Sequence, residues 1–347
     1  MFGTGLLAPW LKRAREFRQQ HRRIAYLTTE IETLRKDIDQ LSRLVNFDRR
    51  IDLVLFGGMP VFMYQGDLAY RQAPRAPKMT DDVFDTTSFL DRIAVPEKSV
   101  HEGSAVGMCV DHLLQHFDDI AVLDVGCSYG AFALHLAYLL QRRGRHEPVY
   151  AFDAGTAGNL VALTIEANRA MGQVQFFPYA VGDRCGMTLF FSDTGNSEND
   201  RLGNCVAETT RSRPVPMTTV DQFMREHGGM RPAFIKIDTQ GFDPEVIDGA
   251  SETLAQPVIA MVEFTPDAIQ RRRSPAAFIR TLVERCIVLD MMHPGRGPIA
   301  VEEAEAFAEA VDKTDMHWTD IICISRSVPD QDRLLEQLKS RPASIVA

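Results

Sequence analysis

The chain has 347 residues, a formal charge of −9, 45% apolar and 24% charged residues, the balance of a soluble globular protein with one large domain and extensions. That charge argues against a general nucleic-acid binder, which needs Lys and Arg to neutralise phosphates, and no run of 18 apolar residues offers a membrane span. Six cysteines lie far apart without a CxxC pair, which speaks against a zinc ribbon or a disulfide framework and for reduced thiols in a cytoplasmic protein.

Residues 1–50 read as a basic segment followed by a coiled-coil-like helix. Met1 to Arg23 carries six Lys or Arg against one Glu, so the basic charge is gathered at the front and the remainder is acidic. Ile24, Leu27, Ile31, Leu34, Ile38, Leu41 and Val45 then recur in steps of three and four, the a/d seam of a short coiled coil. The spacing fits a homodimer through residues 24–45 and equally an amphipathic helix packed on its own domain. Residues 51–101, rich in Gly, Pro and scattered aromatics, read as a connector that also caps a site.

From here strand-like and helix-like runs alternate. Ala121–Val125 is followed by Phe132–Leu140, Val149–Phe152 by Leu160–Met171, and then comes Val174–Tyr179; successive βα units build a parallel sheet with helices on both faces. The rhythm pauses between Gly186 and Pro216, where Met187–Phe191 reads as a short strand leading into a polar loop. It resumes with strands at Ala233–Ile237 and Val258–Val262 and helices around Phe223 and Phe278–Val283. Two late strands, Cys286–Met291 and Ile321–Ser325, can close the sheet as an antiparallel edge pair. The boundaries predicted are 102–326 for this domain and 327–347 for a terminal helix, near Asp330–Leu338, and its tail.

The densest signal is Val122-Leu123-Asp124-Val125-Gly126-Cys127-Ser128-Tyr129-Gly130, a buried strand running into a glycine turn and a helix. Gly126 and Gly130 let backbone approach a ligand that a Cβ would exclude. The spacing is G-x-x-x-G rather than G-x-G-x-x-G, and no Gly-Lys-Ser/Thr follows, so neither a dinucleotide pyrophosphate nor a P-loop phosphate is expected. Asp153 ends the next strand 23 residues after Gly130, near the offset at which Rossmann-like folds place the acid that accepts both ribose hydroxyls.

The turn, Ala151-Phe152-Asp153, Ala180-Val181-Gly182-Asp183 and the run Phe234-Ile235-Lys236-Ile237-Asp238-Thr239-Gln240-Gly241-Phe242-Asp243 together resemble FkbM-type methyltransferases, over roughly Glu102 to Arg326. The resemblance implies a Rossmann-like class I methyltransferase, α/β, with a mostly parallel seven-stranded sheet. It implies S-adenosylmethionine as cofactor and transfer of its methyl to an oxygen, commonly of a sugar or polyketide. It places Asp124, Gly126, Cys127, Ser128 and Gly130 in the donor loop, Asp153 with Ala154 at the ribose, and Ala180, Val181, Gly182 and Asp183 against the adenine. Glu102 approaches the donor from before the first strand. The chain departs from the family where Cys127 and Ser128 replace a small residue and Asn, and where Gln240 and Asp243 stand in place of two glutamates.

A sulfonium methyl is already activated, so the reaction needs an aligned acceptor oxygen and somewhere for its proton. Asp238 and Glu263, each ending a strand, and His101 are the candidate bases, with His293 a further histidine to consider. His112 and His116 stand four apart but lack the glutamate of HExxH, so no zinc site is expected. Arg271 to Arg273 read as a solvated helix start. No Asn/Asp-Pro-Pro-Tyr/Phe tetrapeptide occurs, which favours oxygen over nitrogen as the methylated atom. The expected partner is a small-molecule or glycan acceptor, with no nucleic acid. Two other readings stay open: a metal-assisted O-methyltransferase with Asp238 as first ligand, and a non-catalytic coiled-coil scaffold carrying a degenerate domain.

Overall fold

The computed structural model describes residues 51–56, 59–64, 97–168, 173–193, 201–202, 210–227, 231–314 and 316–340. The basic segment, the heptad-like stretch, most of the connector and most of the polar loop after Phe191 lie outside the described residues. The chain divides into units 1–53 and 54–347.

Seven strands form the main sheet: β3 (Ile120–Val125), β4 (Val149–Phe152), β5 (Val174–Phe177), β10 (Arg231–Ile237), β11 (Ile259–Phe264), β12 (Cys286–Asp290) and β13 (Thr319–Ser325). Their order is β12-β13-β11-β10-β3-β4-β5. The five strands from β5 to β11 are mutually parallel, and β13 runs antiparallel to both β11 and β12. The reversed strand is therefore inside the sheet, with β12 at the edge. All six residues of β3 are buried, as a strand covered on both faces requires.

The register aligns the carboxyl edge. One row crosses all seven strands through Phe177, Phe152, Val125, Ile237, Val262, Ile321 and Asp290. Loops leaving β3, β4, β10 and β11 consequently emerge side by side, the edge at which open α/β sheets bind ligands.

Helices flank this sheet. The helix α1 (Glu97–His116) precedes β3 and runs across the expected boundary at 102; α2 (Ala131–Arg142) follows the glycine turn, and α3 (Val161–Ala167) follows β4. The helix α4 (Val220–Glu226) is capped by Thr219, whose Oγ1 accepts from Gln222 N at 3.0 Å. It carries Phe223 into an aromatic cluster, with ring centroids 4.7 Å from Phe152 and 4.8 Å from Phe177. After β10 come α5 (Asp243–Asp248) and α6 (Ser251–Leu254), then α7 (Pro266–Gln270), α8 (Pro275–Arg285), α9 (Ala304–Asp312) and α10 (Gln331–Lys339). The last packs on α1, and His112 Nε2 meets the Pro329 carbonyl at 2.7 Å.

Two features differ from the sequence reading. Within the expected connector lie two strands, Ile51–Phe56 (β1) and Met59–Tyr64 (β2); β2 packs on α3, and Phe62 N donates to Thr164 Oγ1 at 3.1 Å. The pause between Gly186 and Pro216 belongs to a second sheet of β6 (Ala180–Val181), β7 (Gly186–Asp193), β8 (Arg201–Leu202) and β9 (Thr210–Thr218), ordered β6-β9-β7-β8. Pro214 and Pro216 fall in β9 but β6 pairs only with Met217 and Thr218, so both prolines lie where the strand has a ladder on one side alone. A missing N–H is tolerated there.

Candidate active site

The glycine turn is wound by three residues in the left-handed region: Gly126 at φ 82°, Ser128 at 49° and Gly130 at 83°. Gly126 is dictated by contact as well as by φ. A Cβ there would stand 1.8 Å from the Asp238 carbonyl oxygen, so only glycine lets the loop after β3 lie against the loop after β10. Four amides of the turn are spent within the protein: Gly126 N and Cys127 N on Phe152 O, each at 2.9 Å, Gly130 N on Cys127 O at 2.8 Å, and Ser128 N on Asp153 Oδ2 at 2.7 Å. A phosphate cradle would need those amides facing outward.

Asp153 ties this side together. Its second oxygen accepts from Gly155 N at 2.5 Å, so the carboxylate spans the turn and its own loop while keeping partial exposure. Arg213, from β9, donates to the carbonyls of Ala154 and Gly155 and so anchors the loop that presents Asp153. Asp124 is fully buried beneath the turn, in register with Lys236. The Cys127 thiol is also buried, and burial, with Asp153 and Asp124 nearby, pushes its pKa well up; it stays a protonated thiol rather than a nucleophile.

The neighbouring half of the edge is a network of side chains. Lys236, 8% exposed, donates to Asp238 Oδ2 at 2.9 Å, with its ammonium 5.1 Å from the Phe132 ring centroid. Gln240 Nε2 donates to Asp238 Oδ1 at 3.1 Å and to Glu263 Oε2 at 3.3 Å. Burial, then the charges of Asp238 and Asp243, hold Glu263 well above the usual carboxylate range. Asp243 is 1% exposed and folds the loop back on itself by accepting from Thr239 N, Thr239 Oγ1 and Gly241 N at 2.9–3.0 Å. Burial outweighs those hydrogen bonds and lifts it to about 6.

The fold thus brings Gly126, Ser128, Asp153, Asp238 and Glu263 to one edge, each with partial exposure. Ala180 and Val181 are buried in β6, and Gly182 is closed off by Phe242, whose Cε1 would lie 2.6 Å from an added Cβ. Asp183 is exposed beside Arg184 at 3.2 Å. His101 and Glu102 lie near the start of α1. His293 is exposed and bonds through Nδ1 to Asp290 Oδ2 at 2.9 Å, at the far edge strand. The arginine run is not free: Arg272 stacks over Phe242 at 4.3 Å and pairs with Glu245, and Arg273 pairs with Asp248 at 2.5 Å. Among the described residues, no three His, Cys, Asp or Glu side chains are grouped to hold a metal, and no helix is long and apolar enough to cross a membrane.

Sequence reasoning missed Lys236, Arg213 and the holding role of Asp243. A lysine inside the otherwise apolar run Ala233–Ile237 was the available signal for the first, since a buried charge demands a partner. Nothing local announces Arg213, whose partners are nearly sixty residues away.

A doubly wound sheet with a glycine turn after its first central strand and an acid at the tip of the next defines a Rossmann-like domain. Residues 124–287 match the family model of the methyltransferase FkbM domain. Comparison with solved structures returns a methyltransferase FkbM from Methylobacillus flagellatus KT at 14% identity, covering 43% of this chain and 34% of that one with a TM-score of 0.30. It also returns a Burkholderia thailandensis structure bound to S-adenosyl-homocysteine at 13% identity, 66% and 77% coverage and a TM-score of 0.32. An O-methyltransferase family protein from the same organism matches at 13% identity, 70% and 61% coverage and a TM-score of 0.27. The chain spans about a third of the first of these structures. A search of curated proteins gives no match.

Proposed function

We propose that this protein transfers the methyl group of S-adenosylmethionine to a hydroxyl of a sugar or related metabolite. The observation that carries the reading is Asp153, presented at the strand tip with one oxygen on Ser128 N of the glycine turn and the other on Gly155 N. An acid so fixed suits the two hydroxyls of a ribose. With its amides engaged internally, the turn suits a donor without phosphates. The family match supports the same donor.

The donor supplies an electrophilic methyl group on a sulfonium. The chain's own residues must bind it, align the acceptor oxygen and take the hydroxyl proton. Asp238 and Glu263, beside the turn, fill the last role. A carboxyl whose affinity for protons is raised makes a stronger base than an ordinary one, and burial raises that of Glu263. Lys236 holds Asp238 in place through its ammonium, a positioning role.

The reading is tested by incubating the protein with S-adenosylmethionine and a panel of sugars, phenols and primary amines, with S-adenosylhomocysteine release as readout. Turnover is expected with a hydroxylated acceptor and should fall at least about a hundredfold in Glu263→Gln, the scale of a lost general base. Turnover with amines alone would overturn the oxygen assignment.

A further inference from the structure

Gln240 occupies the loop between β10 and α5 at φ 55°, a left-handed conformation that costs a residue with a Cβ. Its side chain has a definite task. The amide nitrogen lies 3.1 Å from Asp238 Oδ1 and 3.3 Å from Glu263 Oε2, one N–H for each acid. The remaining oxygen of Asp238 takes the Lys236 ammonium at 2.9 Å. A divalent cation bridging the two acids would need their oxygens at roughly 2.0–2.6 Å, in the space the amide nitrogen fills. Asp243, the third acid nearby, spends its oxygens on Thr239 and Gly241 of its own loop.

We propose that Gln240 is a built-in substitute for a bridging cation: it joins Asp238 to Glu263 through two N–H donors, denies the pair to divalent metals, and positions it for metal-free proton removal. The last consequence rests on the methyl-transfer reading, whereas the exclusion of metal does not. Gln240 is a positioning residue, acting through the two acids.

Manganese binding to the full-length protein tests this with neither donor nor acceptor present, the loss of the free-ion electron paramagnetic resonance signal being the readout. Wild-type protein is expected to show no saturable site that depends on Glu263. Gln240→Glu replaces the amide by a third carboxylate and should tighten manganese binding at least tenfold, an effect reversed by adding Glu263→Gln. Gln240→Ala merely vacates the space and should tighten it by a smaller factor, which keeps the test valid if the glutamate variant fails to fold. Manganese should raise the Tm of Gln240→Glu and leave that of the wild type unchanged, by linkage of binding to stability. The proposal is overturned if folded variants bind no better than the wild type, or if the wild type binds one manganese ion that Glu263→Gln removes. Failure to bind S-adenosylmethionine would instead sink the methyl-transfer reading and leave the manganese result standing.

Discussion

The two halves of the carboxyl edge are built by different means. Around β3 and β4 the machinery is backbone: three left-handed residues, four engaged amides and one carboxylate that locks the turn to the next loop. Around β10 and β11 it is side chains: a buried lysine, an amide and three acids drawn from positions 236 to 263. The first half is specified by one short segment plus an acid at the adjacent strand tip. The second exists only once parallel strands have aligned. The halves touch where Gly126 lies against the Asp238 carbonyl, so perturbing that contact should damage both.

Gly126→Ala is therefore expected to have the largest effect. A Cβ 1.8 Å from the Asp238 oxygen, at φ 82°, combines overpacking with backbone strain and should lower stability by about 3–5 kcal/mol. Urea denaturation of the variant measures it; a loss under about 1 kcal/mol would mean the two loops separate easily.

The side-chain half should reveal itself through pH. An acid whose folded pKa is raised holds its proton more tightly when folded, so Asp243, lifted from 3.8 to about 6 by burial, contributes full stability below about pH 4. That contribution is lost as pH rises from about 4 to about 6 and is worth up to about 3 kcal/mol. Asp243→Asn, having no proton to lose, should flatten that window in unfolding curves taken across it. An unchanged pH slope would show that the loop opens to water and that burial does not govern this acid.

The smallest expected effect belongs to Arg213, which reaches the backbone half from β9. Removing its contacts with the Ala154 and Gly155 carbonyls should weaken S-adenosylhomocysteine binding about fivefold, or about 1 kcal/mol, with little change in Tm. An Arg213→Ala variant that binds as the wild type does would detach the second sheet from the donor side.

This contrast also explains what could be read in advance. The alternating βα pattern, the glycine turn and Asp153 were legible because their information is local: a strand, a turn and an acid at a fixed offset. The antiparallel closing of the sheet was legible from two short late strands, though not that β13 would sit inside β12. The second sheet was hidden because Pro214 and Pro216 argue against a strand until its one-sided pairing is known. Asp238 and Glu263 could be named as strand-end acids, but the amide between them and the lysine beneath Asp238 are products of register, and register is a tertiary fact. The arginines after α7 read as solvated because their partners, Glu245 and Asp248, lie on a helix more than twenty residues earlier.

The central claim is that the glycine turn and Asp153 form the donor site, and calorimetric titration with S-adenosylhomocysteine tests it most directly. Wild-type protein should bind saturably with one site, and Asp153→Ala should weaken binding about a hundredfold, since a charge-assisted partner of the ribose and the support of the Ser128 and Gly155 amides are lost together. Folded wild-type protein that binds no S-adenosylhomocysteine, or an Asp153→Ala variant that binds it undiminished, would contradict the account.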